Sequence, residues 1–152
     1  MEAVRPARAE DRQACTRLLS QALVGAAAMR GGAALIGNAT PVTLLERWTA
    51  PEERTHLAVG EYDGVVVGLA ATTLVESGDG RGRGLIECCY VEAGARGVGV
   101  GSALMEDAVA WCQSRDCDDV DALALPGDRP TKQRLEASGF TARLLTLSRR
   151  LG

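Results

Sequence analysis

Three glycines at alternate positions, Gly97, Gly99 and Gly101, follow an arginine, Arg96, and precede a helical run that begins near Ser102. A helix N-terminus leaves main-chain N–H groups without partners and carries positive potential. Glycines let the chain curl so that these groups face an anion with no Cβ in the way. The Arg96 guanidinium adds a forked donor beside the same spot. The chemistry this favours is phosphate binding, most naturally of a pyrophosphate, by the run Arg96, Gly97, Val98, Gly99, Val100, Gly101 and Ser102.

Two common phosphate loops fit poorly. A Walker A loop ends in Gly-Lys-Ser/Thr, and Gly101-Ser102 has no lysine between its members. A dinucleotide fingerprint reads G-x-G-x-x-G, whereas the spacing here is G-x-G-x-G. Asp119 and Asp121 do lie at a suitable distance for a ribose carboxylate. The segments upstream, however, read as hairpin strands and do not open a βαβ unit.

The elements around the loop follow from periodicity. Ala3 to Pro6 is a short strand, and a helix follows with Glu10 and Asp11 in its first turn. Cys15, Leu18, Leu19, Ala22 and Leu23 make one buried helical face. Val24 to Thr40 reads as a helix end running into a loop, within which Met29 to Asn38 is either a substrate-facing segment or a connector. Thr40-Pro41 predicts an N-cap and first helical residue, with Leu44, Leu45 and Trp48 turned inward.

Thr55 to Tyr62 and Val65 to Val75 are strands joined at Asp63-Gly64. Glu76 to Gly84 is a surface loop, and Leu85 to Val91 is a third hairpin-region strand. A helix over Ser102 to Arg115 follows, then a strand over Val120 to Leu125, a helix over Thr131 to Ser138, and terminal strand structure over Phe140 to Arg150. The order β-α-α-β-β-β-α-β-α-β predicts a mixed α/β fold, mostly antiparallel, with one right-handed parallel β-α-β unit around the glycine loop.

Composition bounds the function classes. The 152 residues fit one domain, 1–152, and 46% apolar content supports a core. The net charge of -3, without a basic run, argues against nucleic acid as a partner. No apolar leader is visible, and Val65 to Val75 is too short and interrupted to span a bilayer, so a soluble protein without membrane contact is expected. Cys15, Cys88, Cys89, Cys112 and Cys117 are odd in number, lack CxxC spacing and accompany a single histidine, His56. Reduced thiols in the cytoplasm and no metal site are therefore expected. Cys88 and Cys89 read as small core residues, Trp48 and Trp111 as core, and His56 as a partly exposed strand residue.

Arg96-Gly97-Val98-Gly99-Val100-Gly101 resembles the acetyl-CoA loop of the GNAT (Gcn5-related N-acetyltransferase) superfamily, Arg/Gln-x-x-Gly-x-Gly/Ala. Cys89-Tyr90-Val91 resembles the strand end before that loop, Ser102-Ala103-Leu104-Met105 the start of its helix, and Ser138-Gly139-Phe140 the close of the last helix. The resemblance runs from Leu85 to Phe140, with the N-terminal half matching in element order alone. It implies a GNAT-like mixed sheet with helices on both faces and acetyl-CoA as co-substrate. It also implies direct acyl transfer to a primary amine of a small molecule or protein, in a fold that often dimerises.

In such a site the pantetheine arm lies between the strand ending at Val91 and the next strand. Main-chain groups near Cys89 and Val91 would bond the arm and the thioester carbonyl, and Tyr90 lies between them. An amine acceptor must lose a proton. Glu87, the only acid in Leu85 to Val91, is the candidate to take it, or it simply faces water. Strand alternation puts Glu87 on one face with Cys89 and Val91, and Tyr90 opposite.

The family often carries a tyrosine four residues before the closing glycine, as acid for the departing thiolate, and here that residue is Leu135. Tyr90 is the remaining candidate for this role. Asp128 stands where the family commonly has asparagine. Arg129 and Lys132 either approach the 3′-phosphate of CoA or are solvated helix charges. The loss of the tyrosine keeps open an alternative, an acyl-CoA-binding or sensor module of the same fold without turnover.

Overall fold

A computed structural model describes residues 1–51 and 53–152. Five strands form one sheet in the order β1-β2-β3-β4-β5: β1 Glu2–Pro6, β2 Thr55–Tyr62, β3 Val65–Val75, β4 Arg83–Val91 and β5 Asp119–Ala122. The first four pair antiparallel and β5 joins β4 in parallel. Asp63 and Gly64 take φ of 51° and 82°, the conformation a two-residue hairpin demands, and this fixes the β2–β3 register at Tyr62 opposite Val65.

The helices are α1 Arg12–Ala27, α2 Gly32–Ile36, α3 Pro41–Trp48, α4 Val100–Ser114 and α5 Arg129–Ala137. One sheet face packs on α1 and α3, where Cys15, Leu18, Leu19, Leu45 and Trp48 meet Leu57, Val59, Leu69 and Ala71. Val100 and Leu104 of α4 cover Ala58, Val67, Ala70 and Val91 on the other face. Met105, Ala108 and Leu135 close over Ile86 beside them. Gly60 sets how near α4 can come, since a Cβ there would lie 2.5 Å from Val100 Cγ1. This is the mixed, mostly antiparallel α/β sheet with helices on both faces that the sequence predicts.

Thr40 caps α3 by accepting a hydrogen bond from the Thr43 N–H at 3.2 Å, with Pro41 at the first helical position, again as predicted. Three segments differ. Val24 to Thr40 is not simply a loop: α1 runs to Ala27, and α2 forms between Gly31 and Gly37, which take φ of 82° and 57°. The last strand ends at Ala122, not Leu125, because its β4 pairing stops there.

Phe140 to Arg150 does not form a strand. Phe140 packs beside Leu135, but residues 141–152 are all exposed and make no main-chain hydrogen bond. A strand is defined by its partner, and none is supplied here. No helix among the described residues is long and apolar enough to cross a membrane.

Candidate acyl-donor and acceptor site

β4 carries the site because its two edges have different fates. Toward β3 it is paired to the end, up to Val91 opposite Gly68. Toward β5 it is paired only from Arg83 to Ile86, so the edge beyond Ile86 has no strand partner. The Glu92 N–H donates to Val67 O at 2.9 Å on the β3 side. Alternation therefore turns the main-chain groups of Cys89 and Val91 to the open edge. Val91 O there accepts from Arg96 Nε at 3.0 Å.

The chain then turns through Ala93–Ala95 into the glycine loop. Gly97 and Gly99 adopt φ of 86° and 91°, left-handed conformations that L side chains resist. Gly99 is the N-cap of α4, and no side chain caps the helix. Ala103 is the first residue whose N–H finds the helical ladder, at 3.0 Å from Gly99 O. The amides of Val100, Gly101 and Ser102 are thus left open at the helix mouth.

Gly101 and Ser102 line a pocket with Val91, Ala95, Arg96, Gly97, Gly99 and Arg134, two of these residues cationic and none acidic. Arg134 was not singled out from the sequence. It reaches the pocket from α5, and a Cβ on Gly101 would sit 2.9 Å from its Nη1. Its one sequence signal is position, directly before buried Leu135. Arg96 is less free than its forked shape suggests, because its guanidinium also lies 5.6 Å from the centre of the Tyr90 ring.

Glu87 lies on the face opposite to the one alternation assigns it. Ala71 pairs with Cys88 and Thr72 with Ile86, so Glu87 is the extra residue of a β-bulge. The bulge resets the period. Glu87 turns toward α3, on the side where Cys88 and Tyr90 pack, while Cys89 and Val91 face α4. Tyr90 and Glu87 therefore share a face, and Cys89 is across the sheet from them.

The Glu87 carboxylate is heavily engaged. Arg47 donates to both oxygens at 2.8 and 2.9 Å, and Trp48 Nε1 at 2.9 Å and Thr73 Oγ1 at 2.6 Å add two more bonds. Burial pushes this carboxyl upward, but the bonds from Arg47, Thr73 and Trp48 outweigh it and hold it below the usual range. Arg47, a second residue not foreseen, is thus the immediate partner of the candidate proton acceptor. Tyr90 donates its hydroxyl to Gln21 Oε1 at 3.1 Å.

The remaining candidates have packing roles. Burial pushes the Cys88 thiol up to about 12 and also raises Cys89, partly offset by Arg134, so neither is poised as a thiolate. Leu135 is 7% exposed. His56 Nε2 meets Asp107 Oδ2 at 2.8 Å and its ring stacks on Trp111, which ties β2 to α4 outside the pocket. Among the described residues no cluster of His, Cys, Asp or Glu could hold a metal ion.

The family model described as "Acetyltransferase (GNAT) family" matches residues 29–140. The chain belongs to the GNAT acetyltransferase family. Solved structures share its fold. Ribosomal-protein-alanine N-acetyltransferase from Brucella melitensis biovar Abortus 2308 is 15% identical, with a TM-score of 0.74 over 99% of this chain and 100% of that one. Glucosamine-6-phosphate N-acetyltransferase from Arabidopsis thaliana is 17% identical, with a TM-score of 0.72 over 100% and 99%. A transcriptional regulator from Bacillus halodurans C-125 is 22% identical, with a TM-score of 0.72 over 99% and 100%. At these identities the likeness establishes the fold, and the relatives' different substrates stay their own. No curated protein sequence matches.

Proposed function

We propose that residues 1–152 act as one cytoplasmic N-acetyltransferase domain, moving an acetyl group from acetyl-CoA directly to a primary amine of a small molecule or protein. The observation that carries this is the uncapped mouth of α4, where Gly101 and Ser102 line a pocket together with Arg96 and Arg134. Such a cradle suits a diphosphate. The unpaired edge of β4 leads from it and offers main-chain groups at Cys89 and Val91 to an extended arm. Acetyl-CoA would supply the activated acyl group and the thiolate leaving group.

The rest is done by the chain. A main-chain N–H on the open edge of β4 is placed to stabilise charge gathering on a carbonyl oxygen. Glu87 lies on the α1–α3 face, from which an acceptor amine reaches the same strand. Its depressed carboxyl is a weak base in direct contact. It suits proton removal through water, with Oε1, which takes only the Arg47 bond, as the receiving atom.

A second reading, acyl-CoA binding without turnover, is favoured by one specific observation. The side chains that would move protons are occupied: Glu87 by three donor residues, Tyr90 by Gln21, while Leu135 packs in the core. One experiment separates the readings. CoA and acetyl-CoA, but not NAD, should raise the thermal stability of the protein, and amine panels should then release free CoA thiol. Glu87→Gln should lower kcat about a hundredfold or more while leaving acetyl-CoA affinity unchanged. Binding with no thiol release across the panel supports the sensor reading, and no CoA binding refutes both.

A further inference from the structure

Glu87 is held by donors of two kinds. Trp48 Nε1 and Thr73 Oγ1 both donate to Oε2, at 2.9 and 2.6 Å. Trp48 belongs to the packed core at 4% exposed, and its carbonyl accepts from Thr55 Oγ1 of β2 at 3.1 Å, which locks the end of α3. Arg47 differs on each count. Among the described residues it alone brings charge to Glu87, and it alone reaches Oε1, at 2.9 Å, as well as Oε2, at 2.8 Å. Half of its side chain is exposed.

This division separates aim from charge. Two neutral donors suffice to aim a carboxylate, but burial favours its protonated form, which can take no further proton. No second cation offsets that. Among the described residues, β3 contributes Thr73, α3 contributes Arg47 and Trp48, and β4 itself contributes Cys88, whose thiol burial pushes up to about 12. The Arg47 fork supplies the compensating positive charge. Its guanidinium also lies 5.7 Å from the centre of the Trp48 ring, so neighbouring residues of one helix turn fix both the fork and the carboxylate. Oε1, with a single bond, keeps a lone-pair site open.

We propose that Arg47 is a positioning residue for acyl transfer: it keeps Glu87 in its proton-accepting form with Oε1 open, so that α3 sets the pH range of the reaction. The inference rests on the transferase reading of the site. The proton leaves the acceptor nitrogen, passes through one water and ends on Oε1. The C–N bond forms as the C–S bond breaks with its electron pair on sulfur.

The test is kcat/KM for thiol release from about pH 5 to 8, taken as the ratio of variant to unaltered protein so that the acceptor's own titration cancels. For Arg47→Gln the ratio should hold steady at the alkaline end. It should fall about tenfold per pH unit at the acidic end, because the Glu87 carboxyl, freed of its cation, moves up by about 1–3 pH units. Arg47→Lys keeps the charge and gives up the fork, and it should return the ratio most of the way to a flat line. Acetyl-CoA should still raise the thermal stability of both variants, as a check that they fold. In a Glu87→Gln background, Arg47→Gln should add no further acid-side loss.

A ratio for Arg47→Gln that is lowered equally at every pH assigns Arg47 to packing and overturns the inference, while the transferase reading stands. An acid-side loss that persists in the Glu87→Gln background places the titrating group elsewhere, with the same consequence. If Glu87→Gln itself leaves kcat unchanged, the role of Glu87 falls together with that of Arg47. An unaltered protein that binds acetyl-CoA and releases no thiol with any amine refutes the transferase reading and the inference with it.

Discussion

At the scale of single residues, Arg134 is the addition the structure makes to the loop. Arg96 shares its guanidinium between Val91 O and the Tyr90 ring, whereas Arg134 projects from α5 to the first turn of α4. A charge-assisted bond to an anion contributes about 1.5–3 kcal/mol, so Arg134→Ala should weaken CoA binding about tenfold or more by calorimetric titration. Pantetheine, which lacks the diphosphate, should lose nothing. Equal losses for both would place Arg134 in packing instead. Arg129 and Lys132 do not line the pocket.

At the scale of elements, the distance between α4 and the sheet governs where the loop amides end up. Gly60 of β2 lies beneath Val100 and Leu104, whose side-chain atoms would come within 2.5 and 3.2 Å of a Cβ at that position. Neither neighbour can withdraw easily, because both are fully packed against β2 and β3. Gly60→Ala should cost about 2 kcal/mol by overpacking, measurable by urea unfolding. It should also weaken CoA binding, since α4 must lift and carry Val100, Gly101 and Ser102 with it. An unchanged affinity in a destabilised variant would mean the loop moves independently of the helix.

At the scale of the whole molecule, one buried charge cluster fixes the N-terminal strand to the first helix. Arg5 of β1 donates to both Asp11 oxygens, at 2.7 and 2.9 Å, and to Glu61 at 2.8 Å, while the Arg8 N–H reaches Asp11 at 2.7 Å. The Arg5 bonds, against an opposing effect of burial, hold the Asp11 carboxyl below its ordinary range. A carboxyl depressed by folding adds stability that is complete above its unfolded value and is lost as pH falls through the folded one. Asp11→Asn should therefore cost about 3 kcal/mol at neutral pH. That gap to the unaltered protein should narrow in acid. A constant gap in urea unfolding across pH would assign the loss to geometry instead of ionisation.

The sequence by itself determined what depends on neighbours along the chain. Alternating glycines before an apolar helix fix the left-handed turn at the helix mouth, Asp63-Gly64 fixes a hairpin register, and Thr40-Pro41 fixes a helix start, because each is a local backbone requirement. Tertiary structure decided what depends on partners distant in sequence. The bulge at Glu87 arises only from pairing with β3, and it reversed the face on which that carboxylate lies. Arg47, from α3, and Arg134, from α5, reach their sites only once the helices are packed. The leucines of residues 144–151 look like a strand to any local reading, but a strand is a relation between two chains of hydrogen-bonding groups, and the folded sheet supplies no partner to residues 141–152.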